Sequence, residues 1–361
     1  MNAVETIVRS LFDLADMGRR FAPRGKIELQ LEQIWENCGL TVRTKEATLK
    51  PHLLNHKKRD YGYDVVLHLP PGLCDMDFYR RYSKIAWALN SELEFEQVNG
   101  KLLMRVLSQG LKQKVSFAPP PPPVLMALPV PIGYSRAGLE WLDLADAPHL
   151  LIAGITKGGK SNLLHVLCAA LAHVNLCIID LKRLEFSYLR QSALVATNEK
   201  EAAKVLVGLN REMEKRMTTL ETAGCVKIQD YNAQGGAMSY MVLVIDELAE
   251  LQDDTSLALL NRLLRLARAC GISIVAATQR PSTKVIDGDS RGQFGARICF
   301  RMACEIDSRM ILGENCSRAA YLPTIPGRAI FKFDKIREVQ TMLHPASESK
   351  QRSTQCLVPT P

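Results

Sequence analysis

The sequence predicts an α/β protein, a parallel sheet covered by helices, preceded by a small α+β domain. Three observations carry this. In the C-terminal two thirds, short apolar runs alternate with longer helical stretches, the rhythm of strands joined by crossover helices. The shorter N-terminal region instead mixes helical, alternating and hairpin-like patterns. Between the two stands an unbroken proline run, Pro119–Pro123, followed by Pro129 and Pro131.

In the first region, Ile27–Cys38 has apolar Ile27, Leu31 and Ile34 at helical spacing, with Gly39 as a stop. Tyr63–Leu69 alternates like a strand. Asp75–Asn90 predicts a second helix capped by Asp75. Glu92–Val98 and Lys101–Leu107 predict a hairpin across Asn99-Gly100, a strong turn dipeptide. Lys57-Lys58-Arg59 reads as a solvated loop, with a phosphate contact as the alternative. The proline run favours a stiff, extended spacer; a proline-rich partner motif is the other reading. Beyond it, Leu150–Ala153, Leu176–Asp180, Met241–Asp246, Ile272–Thr278 and Ala296–Met302 read as strands. The expected organisation is a small domain over 1–118, a linker over 119–131, an α/β unit over 132–340 and a polar, disordered tail over 341–361.

Of 361 residues, 46 are Lys or Arg and 38 Asp or Glu. Half of that excess precedes the prolines, so the charge is mild and spread: it fits an anionic partner without demonstrating one. Ten cysteines with no CxxC pair, several inside apolar runs, read as buried thiols of a reducing, cytoplasmic protein. The longest apolar stretch, Leu163–Ile179, is interrupted by His165, His173 and Asn175 and reads as a buried helix running into a strand. No membrane segment is expected, so work at a membrane would need a recruiting partner.

The strongest motif is Gly154-Ile155-Thr156-Lys157-Gly158-Gly159-Lys160-Ser161, matching G-x-x-x-x-G-K-[ST] between an apolar strand and a helix. Glycines let backbone N–H groups turn inward around phosphate oxygens, and the helix points its positive end at the same place. The contacting segment runs through Asn162. Lys160 suits bridging the β- and γ-phosphates of ATP, and Ser161 suits holding Mg²⁺. About 90 residues on, Met241–Ile245 ends in Asp246 and Glu247. Asp246 suits the shell of Mg²⁺; Glu247 suits polarising the attacking water. Gln279, ending the next buried strand, suits a γ-phosphate sensor. The expectation is a RecA-like P-loop ATPase with a central parallel sheet.

Over residues 125–335 the chain resembles the FtsK/SpoIIIE family of hexameric DNA translocases. The likeness lies in Pro131-Ile-Gly, Pro148 through Gly154, Ile179-Asp180-Leu-Lys182 with Glu185, Glu212 through Arg216, Asp230-Tyr-Asn232, Arg265 through Gly271, Ala277 through Pro281 and Ile306 through Leu312. It implies a homo-oligomeric, hexameric ring that hydrolyses ATP and moves double-stranded DNA. It places Arg268 as an arginine finger reaching a neighbour's ATP; a surface arginine beside Arg262 and Arg265 is the plainer alternative. It places Arg280, Lys284 and Arg291 in a pore loop gripping DNA phosphates, with a solvated loop as the alternative. Three departures stand out. Lys157 and Gly158 occupy positions where the family usually has Gly and Ser. Glu305 replaces a residue that tends to be basic. Nothing after about residue 340 could form a winged-helix domain. The resemblance is therefore to compact relatives of plasmids, conjugative elements or phages. A secretion-type ATPase moving protein, or a DNA-binding ring that uses ATP only to assemble, remains as the alternative.

Overall fold

The computed structural model describes residues 25–59, 61–107, 110–183, 185–279, 288–314 and 316–344. The chain divides into two compact units, Met1–Gly110 and Leu111–Pro361.

The first unit holds α1 (Gly25–Cys38), β1 (His52–Arg59), β2 (Gly62–His68), α2 (Asp75–Arg80), α3 (Tyr82–Leu89), β3 (Glu92–Val98) and β4 (Lys101–Leu107). The strands form an antiparallel sheet in the order β1-β2-β4-β3. Trp35 of α1, Phe78 of α2 and Phe95 of β3 pack edge to face, with centroids 5.4 and 5.6 Å apart, a geometry that aromatic quadrupoles favour. The hairpin turns through Asn99 and Gly100 at φ of 49° and 73°, as the turn dipeptide requires. Two expectations change. The helix expected over Asp75–Asn90 breaks at Arg81, whose guanidinium donates to the Cys38 carbonyl at 2.9 Å. Lys57–Arg59 is not a loop but the end of edge strand β1; charge on an exposed edge discourages further strands from pairing there, and its exposure made it look like a loop.

The second unit holds β5 (Pro129–Ser135), β6 (Gly138–Asp143), β7 (His149–Ala153), α4 (Lys160–Ala170), β8 (Asn175–Ile179), β9 (Leu194–Ala196), α5 (Glu199–Thr222), α6 (Ile228–Ala233), β10 (Met241–Ile245), α7 (Asp254–Leu266), β11 (Ile272–Thr278), α8 (Gly288–Gln293), β12 (Ala296–Phe300), α9 (Glu305–Leu312), β13 (Arg328–Lys332) and β14 (Ile336–Gln340). Its ten-stranded sheet runs β9-β8-β10-β11-β7-β12-β13-β14-β5-β6. The strands from β9 to β12 pair parallel and those from β12 to β6 antiparallel, so the parallel sheet carries an antiparallel wing. The central strands are buried on both faces, which is why they read as continuous apolar runs. Leu151, Ile179, Leu243 and Ile274 face one core with Leu206 and Met213 of α5 and Leu260 and Leu263 of α7. Leu150, Ile178, Val244 and Val275 face the other with Leu163, Leu164 and Leu167 of α4. Cys168, Cys177 and Cys299 are buried free thiols. Among the described residues no helix is long and apolar enough to cross a membrane.

The expected boundaries also move. Pro129 and Pro131 lie in β5 and pair with Asp143 and Trp141. Pairing of β5 with β14 is confined to Tyr134 against Gln340, so the proline half has one partner strand only, where a missing N–H is tolerated. At the other end, Thr341, Met342 and His344 are buried. The Leu343 amide donates to the Val115 carbonyl at 2.6 Å, and the Phe117 amide to the Leu343 carbonyl at 2.9 Å. The chain is packed through His344; the rest of the expected tail lies outside the described residues.

Candidate nucleotide-binding and hydrolysis site

Strand order assembles the site. β11 lies between β10 and β7, all parallel, with Ile245 opposite Ala276 and Thr278 opposite Ala153. The segments that leave their C-terminal ends, Asp246-Glu247, Gln279 and the loop from Gly154, therefore emerge side by side, the usual place for ligands in an open α/β sheet.

The loop's glycines are needed for space and for backbone angle. Gly154 has φ +154°, and a Cβ there would lie 2.5 Å from Cβ of Phe300; Gly159 has φ +124°, and its Cβ would press on the Phe300 ring and the Gly327 backbone. The loop rests on Phe300, the last residue of β12, and the Gly327 amide donates to the Gly158 carbonyl at 2.8 Å. Lys157 takes φ +62°, a left-handed angle costing a non-glycine residue about 1 kcal/mol, at the position where the resemblance expects glycine. Helix α4 starts at Lys160 with Gly159 as N-cap and no side chain capping it, which leaves first-turn amides for an anion.

Lys160 is buried, and its ammonium donates to the carbonyls of Gly154 at 2.6 Å and Ile155 at 3.0 Å. Burial lowers its pKa to about 8, with the nearby Glu247 carboxylate opposing. Glu247 is buried; the Gln279 amide donates to both its oxygens, at 2.9 and 3.2 Å, and the Lys182 ammonium donates to Oε2 at 3.2 Å. The Thr156 hydroxyl donates to Oε1 of Gln279 at 3.0 Å, so the loop, Gln279 and Glu247 form one chain of contacts. Burial raises the Asp246 carboxyl to about 6, with Lys182 pulling the other way. A buried lysine, a buried carboxylate and open helix amides fit a Mg²⁺-nucleotide: Mg²⁺ needs one or two protein oxygens beside the phosphates, and Ser161 and Asp246 would supply them.

Other expected residues fall elsewhere. The Asn162 side chain is committed to the C-terminal segment, donating to the Met342 carbonyl at 2.6 Å and accepting from the His344 amide at 2.8 Å; it offers a nucleotide its backbone only. Arg268 follows α7, exposed, and donates to the Asp146 carbonyl at 3.3 Å. Asp146 precedes β7 and Arg268 precedes β11, so Arg268 stands at the end of the sheet opposite the loop. Arg291 on α8 donates to the Met310 carbonyl at 3.0 Å. Arg280 and Lys284 lie outside the described residues. Glu305 is paired with Arg309 at 2.7 Å and with the Tyr321 hydroxyl. Lys182 and Phe300 were not singled out for these roles; the only sequence signal for Lys182 was its place in a family motif.

Residues 120–283 match the FtsK/SpoIIIE family. A DNA translocase FtsK of Chlorobaculum tepidum is 32% identical over 272 residues, covering 65% of this chain and 34% of the relative; the chain thus spans about a third of that protein's length. Among solved structures, the conjugation coupling protein TcpA of pCW3 with ATPγS superposes with a TM-score of 0.68 at 23% identity, covering 91% of this chain and 98% of that one. The cytoplasmic domain of the type VII secretion ATPase EccC of Thermomonospora curvata gives 0.56 at 25% identity, covering 67% of this chain and 32% of that one.

Proposed function

Starting from a chain whose ATPase unit belongs to the FtsK/SpoIIIE family, we propose that this protein is an ATP-driven translocase of double-stranded DNA, working as a homo-oligomeric ring in the transfer or segregation of DNA. The observation that carries the reading is the split between the two ends of the sheet. Lys160, Asp246, Glu247 and Gln279 converge at one end, and Arg268 is anchored at the other. The seven residues of β11 separate the ends by about 20 Å. Arg268 cannot reach the phosphates of its own subunit, so a finger role requires a neighbour, and identical head-to-tail contacts that close make a ring.

At each site the loop amides and Lys160 would bind the phosphates, and Ser161 and Asp246 would hold Mg²⁺. When bound, the metal would supply positive charge that offsets the negative charge of the phosphates. Glu247 would orient the attacking water, and Gln279 would link the terminal phosphate to the backbone leading into the proposed DNA segment. Arg280, Lys284 and Arg291 would contact DNA phosphates without reading sequence.

Steady-state phosphate release by the full chain, with and without duplex DNA, tests the proposal. Turnover should rise with DNA and fall by about 10²-fold or more in Lys160→Ala and Glu247→Gln. Mixing Arg268→Ala with Lys160→Ala subunits should restore activity at interfaces that pair an intact loop with an intact finger. Turnover unchanged in both site variants would overturn the catalytic assignment. Turnover indifferent to DNA would favour the secretion-type reading, in which the cargo is protein.

A further inference from the structure

Lys182 has no part in the reading above, yet its ammonium reaches into the centre of the site. Its backbone is firmly placed. Asp180, buried at the end of β8, accepts three amides with its carboxylate: Arg183 at 2.9 Å, Glu185 at 3.1 Å and Phe186 at 3.0 Å. Arg183, at φ +66°, donates from its guanidinium to the Thr197 carbonyl at 3.0 Å. From this fixed base the Lys182 side chain extends to Glu247. The two ends of the bridge differ in freedom: the Lys182 side chain is 34% exposed and that of Glu247 5%. Glu247 is also held by the Gln279 amide. If the bridge opens, the lysine moves and the glutamate stays.

We propose that Lys182 makes the site distinguish a nucleoside triphosphate from a diphosphate by exchanging partners, holding Glu247 until a terminal phosphate arrives and then holding that phosphate. The inference rests on the nucleotide reading of Lys160 and Glu247. A terminal phosphate carries more charge than one carboxylate and offers three acceptor oxygens, so it is the stronger partner for an ammonium. The position allows the exchange: the Lys182 charge bears on both Lys160 and Asp246, behind burial as the main influence on each. The exchange has a consequence for hydrolysis. Glu247 loses its counter-ion only when the triphosphate is bound, and a carboxylate without an ammonium on it polarises water better. A diphosphate ends one group short and leaves the bridge closed.

Equilibrium binding of ATPγS and of ADP to the full chain, with Mg²⁺ present, tests this. Lys182→Met should weaken ATPγS by about tenfold or more and leave ADP little changed; Lys182→Arg, which keeps the charge, should retain most of the preference. Glu247→Gln should tighten ATPγS by freeing the lysine, and the gain should vanish in the double variant with Lys182→Met. Equal weakening of both nucleotides by Lys182→Met, no weakening of either, or a Glu247→Gln gain that persists without the lysine would overturn the exchange. Lys160→Ala separates the two levels. If it still binds both nucleotides, the site itself is wrong. If it loses them while Lys182→Met keeps the full preference, only the exchange fails.

Discussion

The parallel and antiparallel halves of the large sheet each bury a basic side chain, and they do it in opposite ways. In the antiparallel half, Arg328 of β13 is buried with its charge intact. It donates to Glu338 at 2.8 Å, to Gln340 at 3.1 Å and to the Leu111 carbonyl at 3.1 Å. In the parallel half, His149 at the start of β7 is buried near Phe294, their centroids 6.3 Å apart, and burial pushes its pKa down to about 4. One half keeps a charge by satisfying it; the other keeps its group neutral. The difference follows from position. β7 is a central strand under helices on both faces, while β13 and β14 belong to the wing that props the phosphate loop through Gly327.

The largest expected effect breaks the satisfied pair. Arg328→Met leaves the Glu338 carboxylate buried without its partner and should cost about 3–5 kcal/mol, read as a shift of the denaturant midpoint. A loss below about 1 kcal/mol would mean that the wing does not depend on the pair. Replacing both residues by apolar ones should recover much of the loss.

The neutral group gives a pH test. The folded pKa of His149, about 4, lies below the unfolded value of 6.5. Its contribution is therefore fully present above pH 6.5 and is lost as pH falls through 4. The difference is worth about 3 kcal/mol. His149→Leu should flatten the acid limb of the stability curve between pH 6.5 and 4, and a variant whose acid limb matched the wild type would assign the acid sensitivity elsewhere.

The same two halves differ in what the sequence revealed. Five parallel strands, β7, β8, β10, β11 and β12, were legible because burial makes them apolar runs, and the loop, Asp246-Glu247 and Gln279 could be placed at their ends; the three-residue edge strand β9, half open to solvent, has no such run. The antiparallel wing was not read. Pro129 and Pro131 made β5 look like linker, and β13 and β14 carry Arg328, Glu338 and Gln340 at buried positions, which breaks the apolar pattern that marks a buried strand. Lys182 was hidden for another reason. A lysine three residues past a strand has no signature of its own, and only the pairing of β8 with β10 brings it to Glu247. Phe300 looked like one more core residue, because its task is to fit beneath glycines that have no side chain to announce it.

The smallest expected effect concerns the proposed grip on DNA, where the comparison is between holding the fold and holding a ligand. Arg291 already donates to the Met310 carbonyl near the end of α9, and its own carbonyl accepts from Arg297 at 2.9 Å. A guanidinium has five N–H donors, so one bond to a carbonyl leaves others for a phosphate. The two tasks separate by charge. A phosphate contact releases counter-ions, so Arg291→Ala should flatten the log–log dependence of duplex binding on salt by roughly one unit per bound subunit. Arg291→Lys, which keeps the charge but not the planar fork, should keep the slope while binding somewhat more weakly. Thermal unfolding of the same variants reads the fold contact: Ala loses the bond to Met310 outright, while Lys keeps a donor that can partly replace it. A salt slope equal to wild type in Arg291→Ala would remove Arg291 from the DNA surface and leave it as a brace between α8 and α9. The slope change should then be sought in Lys284→Ala, which carries the same charge argument.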